Sequence, residues 1–176
     1  MKFNYVINAA DFLEYYLYMV SKSPAISRKR NIVKYSFSGI YMFFAIYFFY
    51  SGMVGMGYFF MLLANLWFFF YPKLNLKALE RYYAKYTQEN FGHQMNRPTE
   101  MTIQLDLILI NDGKIASEIQ VSDLEILIEI KNSFFLREKS GNTFIIPKNL
   151  IDTESFVSEI SKTQISLKNE TNWQWK

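Results

Sequence analysis

Eight basic side chains lie on either side of a long uncharged stretch, and they are the groups in this sequence best suited to recognise a ligand. They are Arg28, Lys29, Arg30, Lys34, Lys73, Lys77, Arg81 and Lys85. Between Tyr35 and Pro72 the sequence holds no Asp, Glu, Lys or Arg. Lys and Arg beside an apolar segment either attract anionic lipid headgroups or only keep that end of the segment in the cytosol. The eight cations are therefore candidate lipid-headgroup contacts, with topology alone as the alternative.

Residue types that catalyse reactions or bind metals do not form a recognisable set. Cysteine is absent, which excludes disulfides, thiolate metal sites and Cys nucleophiles. His93 is the only histidine, so it lacks companions for a triad or a transition-metal site. Glu125 and Glu129 lie about 13 Å apart along a predicted strand, which is wide for two carboxylates acting on one glycosidic bond. We expect a protein that is not an enzyme and that binds no metal and no cofactor.

The uncharged stretch has the length of two membrane helices. A membrane helix needs roughly 20 apolar residues, and 35–72 is about twice as long. The stretch predicts helices at 32–50 and 53–71, joined by a short turn that contains Gly52. Cations at both outer ends and none in the turn predict that both termini are cytosolic. Asn65, near the middle of the second helix, is expected to donate a hydrogen bond to the neighbouring helix, and a role in a pore is the alternative.

The charge of the chain is divided unevenly along its length. Residues 1–98 carry 11 basic and 4 acidic side chains, whereas residues 99–176 carry 8 and 12. The basic half coincides with the predicted membrane segments, and the second half has no basic stripe. Anionic lipid is therefore the expected partner of the basic half, and no nucleic acid is expected to bind.

The residues before the hairpin predict a strand followed by an amphipathic helix. Apolar side chains alternate from Phe3 to Ile7, which indicates a short strand. Asn8 can cap a helix that runs from Ala9 to Lys22 and stops before Pro24. We expect the strand to pair with an edge of the C-terminal sheet, and the alternative is a disordered N-terminus.

Alternating apolar residues after the linker at 90–98 predict an antiparallel β meander closed by one helix. The predicted strands are 101–109, 115–121, 124–130, 134–138 and 143–146. Asn111-Asp112-Gly113 and Ser140-Gly141-Asn142 provide turn residues between them. Leu124, Ile126, Ile128 and Ile130 are expected on one face of the third strand. Asp152 can cap a final helix whose buried side contains Phe156, Val157 and Ile160.

Several short motifs resemble the YcxB-like family of bacterial membrane proteins. They are Trp67 to Lys73, Arg81-Tyr82-Tyr83, Asp123 to Glu129, Phe134-Phe135-Leu136 and Ile145 to Lys148. The resemblance extends over most of the chain, from about Asp11 to Ile160. It implies a C-terminal domain of the pleckstrin-homology-like (PH-like) type, and it brings no catalytic residues.

The predicted fold class is an α+β membrane protein with a two-helix transmembrane hairpin and a C-terminal PH-like antiparallel β meander closed by one helix. The expected segments are a strand and amphipathic helix in 1–31, the hairpin in 32–72, a basic juxtamembrane helix and linker in 73–98, the PH-like domain in 99–168 and a tail in 169–176. The expected location is the cytoplasmic (inner) membrane, with several passes.

The function expected from these features is non-enzymatic. The hairpin would anchor a cytosolic PH-like domain that binds a protein or a peptide, of a kind the sequence does not specify. One alternative is a module that responds to anionic lipids through the eight cations. Another is a small subunit of an oligomeric transporter, in which Asn65 would be the candidate pore residue, so a homo-oligomer is a further option.

Overall fold

The structure, a computed structural model, describes residues 1–114 and 116–175, which form two compact units. The β unit comprises Met1–Tyr15 and Ala84–Gln174, and the hairpin unit comprises Tyr16–Tyr83 together with Trp175. In chain order the elements are β1 (Lys2–Val6), α1 (Ala9–Lys22), α2 (Pro24–Tyr50), α3 (Val54–Phe91), β2 (Pro98–Ile103), β3 (Leu107–Asn111), β4 (Ala116–Gln120), β5 (Leu124–Glu129), β6 (Ser133–Glu138), β7 (Thr143–Pro147), α4 (Thr153–Ser161) and β8 (Ser166–Asn169).

The strands of the β unit form two four-stranded sheets. The first has the order β1-β2-β3-β4 and is antiparallel throughout. The second has the order β7-β6-β5-β8, in which β8 runs parallel to β5 and the other pairs are antiparallel. Two long apolar helices therefore precede β2 to β8, and the strands form one antiparallel sheet and one mixed sheet. This arrangement confirms the α+β class.

The strand before the hairpin belongs to the β unit. Phe3 lies opposite Met101 in the β1–β2 pair, and Tyr5 lies opposite Thr99. The N-terminal ammonium of Met1 donates a hydrogen bond of 2.7 Å to the carbonyl of Ile103. The predicted pairing of this strand with the C-terminal sheet is confirmed, and the alternative of a disordered N-terminus is wrong.

One apolar core joins both sheets to the last helix. Phe156 of α4 is fully buried, and its ring lies 5.4 Å from that of Phe3 and 5.0 Å from that of Phe134. Asp152 caps α4 as predicted, because its carboxylate accepts hydrogen bonds from the backbone N–H groups of Glu154 and Ser155. The burial of Tyr5 in this core raises the pKa of its hydroxyl group. The first strand and the last helix thus share one buried surface.

The predicted strand at 101–109 is wrong, because it is two strands joined by a tight turn. Gln104 donates its backbone N–H to the carbonyl of Leu107 at 2.9 Å, so Leu105 and Asp106 form a two-residue connection. Leu105 is 71% exposed, although the alternation assigned it to the buried face. Apolar residues continue through this turn without Gly, Pro or Asn, so the pattern does not mark it.

The predicted face of the third strand is wrong at its start, for Leu124, whereas Ile128 and Ile130 are buried. A register irregularity lies between Leu124 and Ile126 of β5, and an irregularity of this kind reverses the alternation of side chains. Leu124 and Leu127 consequently belong to the core, whereas Ile126 is half-buried. The two turns predicted in the meander are confirmed by the positive φ values of Gly113 (81°) and Gly141 (97°).

The hairpin unit differs from its prediction at both ends. Helix α2 begins at Pro24 with Ser23 as its N-cap, eight residues before the expected start at residue 32. Helix α3 continues through Pro72 to Phe91, so the juxtamembrane helix predicted after Pro72 is not a separate element. A proline inside a helix removes one N–H donor, but Leu, Lys, Ala, Glu and Arg are frequent in the segment that follows, and all favour helix.

Candidate functional site

The largest unusual surface of the molecule is the apolar exterior of the hairpin unit. Helices α2 and α3 are both long and apolar enough to cross a membrane. In their most apolar 18-residue windows only 6% and 11% of the residues are buried. The core helix of a soluble protein would be mostly buried, so α2 and α3 are not packed as core helices. Large exposed apolar surfaces usually mark an interaction with a membrane or another protein.

The two helices contact each other through small residues and aromatic rings. Ala45 and Ala64 are buried, with 1% and 3% exposure. The ring of Phe60 lies 5.5 Å from that of Phe44 and 5.4 Å from that of Phe48. A Cβ on Gly57 would lie 2.6 Å from the ring of Phe49, so this position needs glycine or a shift of that ring.

The prediction that Asn65 donates a hydrogen bond to the neighbouring helix is wrong. Its amide Nδ2 donates to the carbonyl of Met61, one turn earlier in the same helix, at 2.8 Å. The backbone carbonyl is the nearest acceptor along the helix, so the amide is satisfied without the neighbouring helix. No described contact supports a pore role for this residue.

The four cations before the uncharged stretch lie on α2. Arg28 and Lys29 are exposed, whereas Arg30 and Lys34 are half-buried. The Lys34 ammonium lies 3.9 Å from the centre of the Phe68 ring, and the Arg30 guanidinium lies 5.2 Å from that of Trp175. The first two side chains are therefore the more accessible pair, and the other two are partly engaged with aromatic rings.

The four cations after the uncharged stretch lie on α3, and all four are exposed. Lys85 forms a long ion pair of 3.7 Å with Glu89, and the part of the chain that the structure describes shows no ion pair for Lys73, Lys77 or Arg81. At 1.5 Å per residue, Lys73 and Lys85 are about 18 Å apart along one helix axis. Lys73 and Lys77 therefore lie much nearer the uncharged stretch than Lys85 does.

A polar cleft of about 610 Å³ lies in the β unit and was not predicted from the sequence. Its lining residues come from the start of α1, the β5–β6 turn and the segment after β7: Ala10, Asp11, Glu14, Lys131, Asn132, Lys148 and Asn149. These positions are far apart in the sequence, and Lys148 alone falls within one of the short motifs named above. They come together because β1, which precedes α1, pairs with β2 and because Glu14 contacts the β5–β6 turn.

Most charged groups of the cleft are satisfied by neighbours. The Glu14 carboxylate accepts hydrogen bonds from the Asn132 amide at 2.7 Å and the Ser133 hydroxyl at 3.0 Å. The Lys148 ammonium forms an ion pair of 2.7 Å with Glu129. Burial raises the pKa of the Asp11 carboxyl, although the N–H of Asn8 opposes this effect. The Glu14 contacts attach α1 to the turn between β5 and β6.

The other acidic and histidine candidates have ordinary surroundings. Glu125 accepts two hydrogen bonds from Arg137, at 2.8 and 3.0 Å, and Glu129 is paired with Lys148 as described. His93 is exposed in the turn after α3. Within residues 1–114 and 116–175, His, Cys, Asp and Glu form no group of three that could hold a metal ion.

Comparisons of the chain with protein-family models, with curated proteins and with solved structures find no match. The functional interpretation therefore depends on the molecule alone. Its two main features are the exposed apolar hairpin and the folded β unit.

Proposed function

We propose that this chain is a non-enzymatic bacterial inner-membrane protein of the YcxB-like kind. Its hairpin anchors a cytosolic PH-like domain, and that domain binds a partner protein or peptide. The observation that carries this proposal is the exposure of α2 and α3, whose most apolar windows are only 6% and 11% buried. Burial in lipid stabilises such a surface, whereas water would favour its aggregation.

The strand order supports a PH-like domain. Four antiparallel strands, β1 to β4, and three more, β5 to β7, precede the helix α4 that closes the core. The hairpin is inserted between the first and second of these strands. This order fits the domain implied by the resemblance, with β8 as an additional strand.

Binding of a protein or peptide is favoured by the sheet edges. Among the described strands, β4 pairs only with β3, and β7 pairs only with β6. Edge strands carry main-chain N–H and C=O groups that can pair with an extended segment of another protein.

The topology can be tested with single cysteines, because the native chain has none. A cysteine at Gly52 should react with an impermeant thiol reagent added outside intact cells, whereas cysteines at Ser27 and Asn142 should react only after lysis. The opposite labelling pattern would contradict the cytosolic β unit and with it the proposed function.

Partner binding can be tested by site-specific photocrosslinking in cells. A photoreactive residue at Glu118, exposed on β4, should give a discrete protein adduct, whereas one at Phe69, 67% exposed on the hairpin, should give none. Phe156→Ala, which disrupts the core, should remove the Glu118 adduct. Failure to obtain any protein adduct from Glu118 and from Gln120, which is also exposed on β4, would count against partner binding.

A lipid-responsive module is the second candidate, and the unpaired cations at the start of the extended part of α3 favour it. A Lys or Arg near an anionic surface contributes about 1 kcal/mol, and this contribution falls off within a Debye length. In nanodiscs, Lys73→Gln with Lys77→Gln should reduce the association of spin-labelled phosphatidylglycerol more than Arg81→Gln with Lys85→Gln does. Equal association for both double variants and the parent protein would eliminate this candidate.

A further inference from the structure

Strand β8 has an unusual position in the β unit. It comprises four residues, Ser166 to Asn169, and all four are exposed. It extends the second sheet by running parallel to β5, whereas the other strand pairs of the described chain are antiparallel. A strand that buries none of its side chains is attached to its sheet mainly through its backbone.

Besides the backbone ladder of four residue pairs with β5, few contacts attach β8. The N–H of Glu170 donates to the carbonyl of Glu129 at 2.7 Å, and the Asn169 amide lies 3.4 Å from the Glu129 carboxylate. Lys168 forms an ion pair with Glu170, two residues further along the same segment, so this pair does not connect β8 to β5. The nearest apolar anchor is Ile165, which precedes the strand and packs against the core.

The connection between α4 and β8 is strained. Gln164 has a φ of 57°, a left-handed conformation that is unfavourable for a residue with a side chain. A connection that can relax when β8 leaves the sheet gives back part of the free energy lost with the backbone hydrogen bonds. The strain and the exposed side chains both lower the cost of releasing β8.

Strand β5 would remain in place when β8 leaves. Leu127 and Ile128 of β5 are buried, and β5 pairs with β6 along its other edge. Release of β8 would therefore expose a fixed row of N–H and C=O groups on a rigid strand. Such an edge accepts an extended peptide through main-chain hydrogen bonds.

We propose that the β5 edge is a docking site for an extended segment of a partner protein, and that β8 is an exchangeable occupant which competes with it. This inference rests on the proposed function and adds the β5 edge to the edges of β4 and β7 as a surface for partner binding. Because the side chains of β8 point away from buried surroundings, the edge selects mainly by backbone pairing. The preferred segment is polar, with an amide-bearing residue opposite Glu129, as Asn169 is in β8.

The test uses the full chain in detergent and a fluorescent peptide with the sequence of residues 164–171. Parallel pairing uses every second residue, so the bond from Glu170 places Lys168 among the donors of β8. Lys168→Pro removes this donor, and Lys168→Thr is the matched control that keeps it. A second variant combines Ile126→Cys with Ser166→Cys. These two residues lie directly opposite each other in the β5–β8 pair, so a disulfide between them can hold β8 on β5.

Fluorescence anisotropy should show that Lys168→Pro binds the peptide about tenfold more tightly than the parent protein does, if β8 covers the edge in about nine molecules of ten. Lys168→Thr should resemble the parent protein. The oxidised double-cysteine variant should bind no peptide, and its reduction should restore parental binding. A peptide that carries proline at the position of Lys168 should not bind.

Two results would overturn the inference. One is the absence of peptide binding to a Lys168→Pro protein that melts close to the Lys168→Thr control. The other is equal binding by the oxidised and reduced double-cysteine variant, which remains decisive if Lys168→Pro does not fold. A protein that binds partners elsewhere would still give the Glu118 adduct, so failure of this inference is distinguishable from failure of the proposed function.

Discussion

The β unit and the hairpin unit use similar apolar side chains in opposite ways. Phe134 in the β unit is fully buried, whereas Phe69 in the hairpin unit is 67% exposed. The β unit buries Phe, Ile and Leu in a shared core, whereas the most deeply buried residues between the hairpin helices are Ala45 and Ala64. The hydrophobic effect in water explains the first pattern, and the second pattern is the one expected of helices that face lipid.

The largest expected effect comes from removing β1. Deletion of residues 2–6 removes one sheet edge and the buried rings of Phe3 and Tyr5. Truncating one buried Phe costs about 3–5 kcal/mol, so losing both rings approaches the 5–15 kcal/mol by which a whole domain is stable. The β unit should unfold, as measured by loss of near-UV circular dichroism and rapid protease cleavage, while the hairpin still resists carbonate extraction.

A control for this deletion changes only the exposed face of β1. Lys2→Gln with Asn4→Ser keeps the strand and should leave the protease resistance of the β unit unchanged. A β unit that stays folded after the deletion would show that the core does not depend on β1.

A smaller effect is expected from removing a single aromatic ring in each unit. Phe156→Ala should lower the free energy of unfolding of the β unit by about 3–5 kcal/mol, because it leaves a cavity beside Phe3 and Phe134. Phe69→Ala should change the stability of the hairpin by less than about 0.5 kcal/mol, as is usual for a surface position. Denaturant unfolding in detergent measures both, and similar losses in the two units would contradict the comparison.

The third effect comes from the small residues between the helices. Ala64→Leu should destabilise the hairpin by about 1–3 kcal/mol, because Ala64 is only 3% exposed and a larger side chain would overpack its surroundings. Leu62→Ala, at a position that is 57% exposed, is the matched control and should be nearly neutral. Unfolding titrations in sodium dodecyl sulfate compare the two variants, and tolerance of Ala64→Leu would argue against close packing there.

The smallest effect is a pH dependence confined to the β unit. Hydrogen bonds from the side chain and backbone of Ser155 lower the pKa of Asp152 below its ordinary value of 3.8. The stabilisation is therefore complete above pH 3.8 and is lost as the pH falls through the lower folded-state pKa. Asp152→Asn should melt below the parent protein at pH 7, and the difference should shrink at acidic pH. A constant difference would exclude this carboxylate as its source.

Much of the fold follows from local sequence patterns. The alternation in Phe3 to Ile7, the cap at Asp152 and the turn at Gly113 each depend on a few neighbouring residues, and all three are confirmed. The turn at Leu105 and the irregularity in β5 interrupt a regular alternation that does not mark them, and α3 continues through Pro72 because the residues that follow favour helix. Strand β8 was missed because four exposed residues give no apolar alternation.

The candidate site was predictable only in part. The cations beside the uncharged stretch are visible in the sequence because charge is a property of each residue. The sequence does not show that the helix carrying Lys73 to Lys85 continues from the preceding apolar helix, since a proline at position 72 predicts a boundary. The cleft beside Glu14 combines residues that are more than 100 positions apart, as the contact between Glu14 and Asn132 shows. The pairing of β1 with β2 and the contacts of Glu14 with the β5–β6 turn bring these residues together.

The insertion of the hairpin between β1 and β2 sets the order of events during synthesis. Met1 and its partner Ile103 are separated by 102 positions. At roughly 5–20 residues per second, β1 leaves the ribosome about 5–20 s before its partner strand exists. During that interval Phe3 and Tyr5 have no core to enter, and both helices of the hairpin are made. The first sheet can therefore close only on a chain that has already produced both helices, so the hairpin is synthesised before the core of the β unit can form.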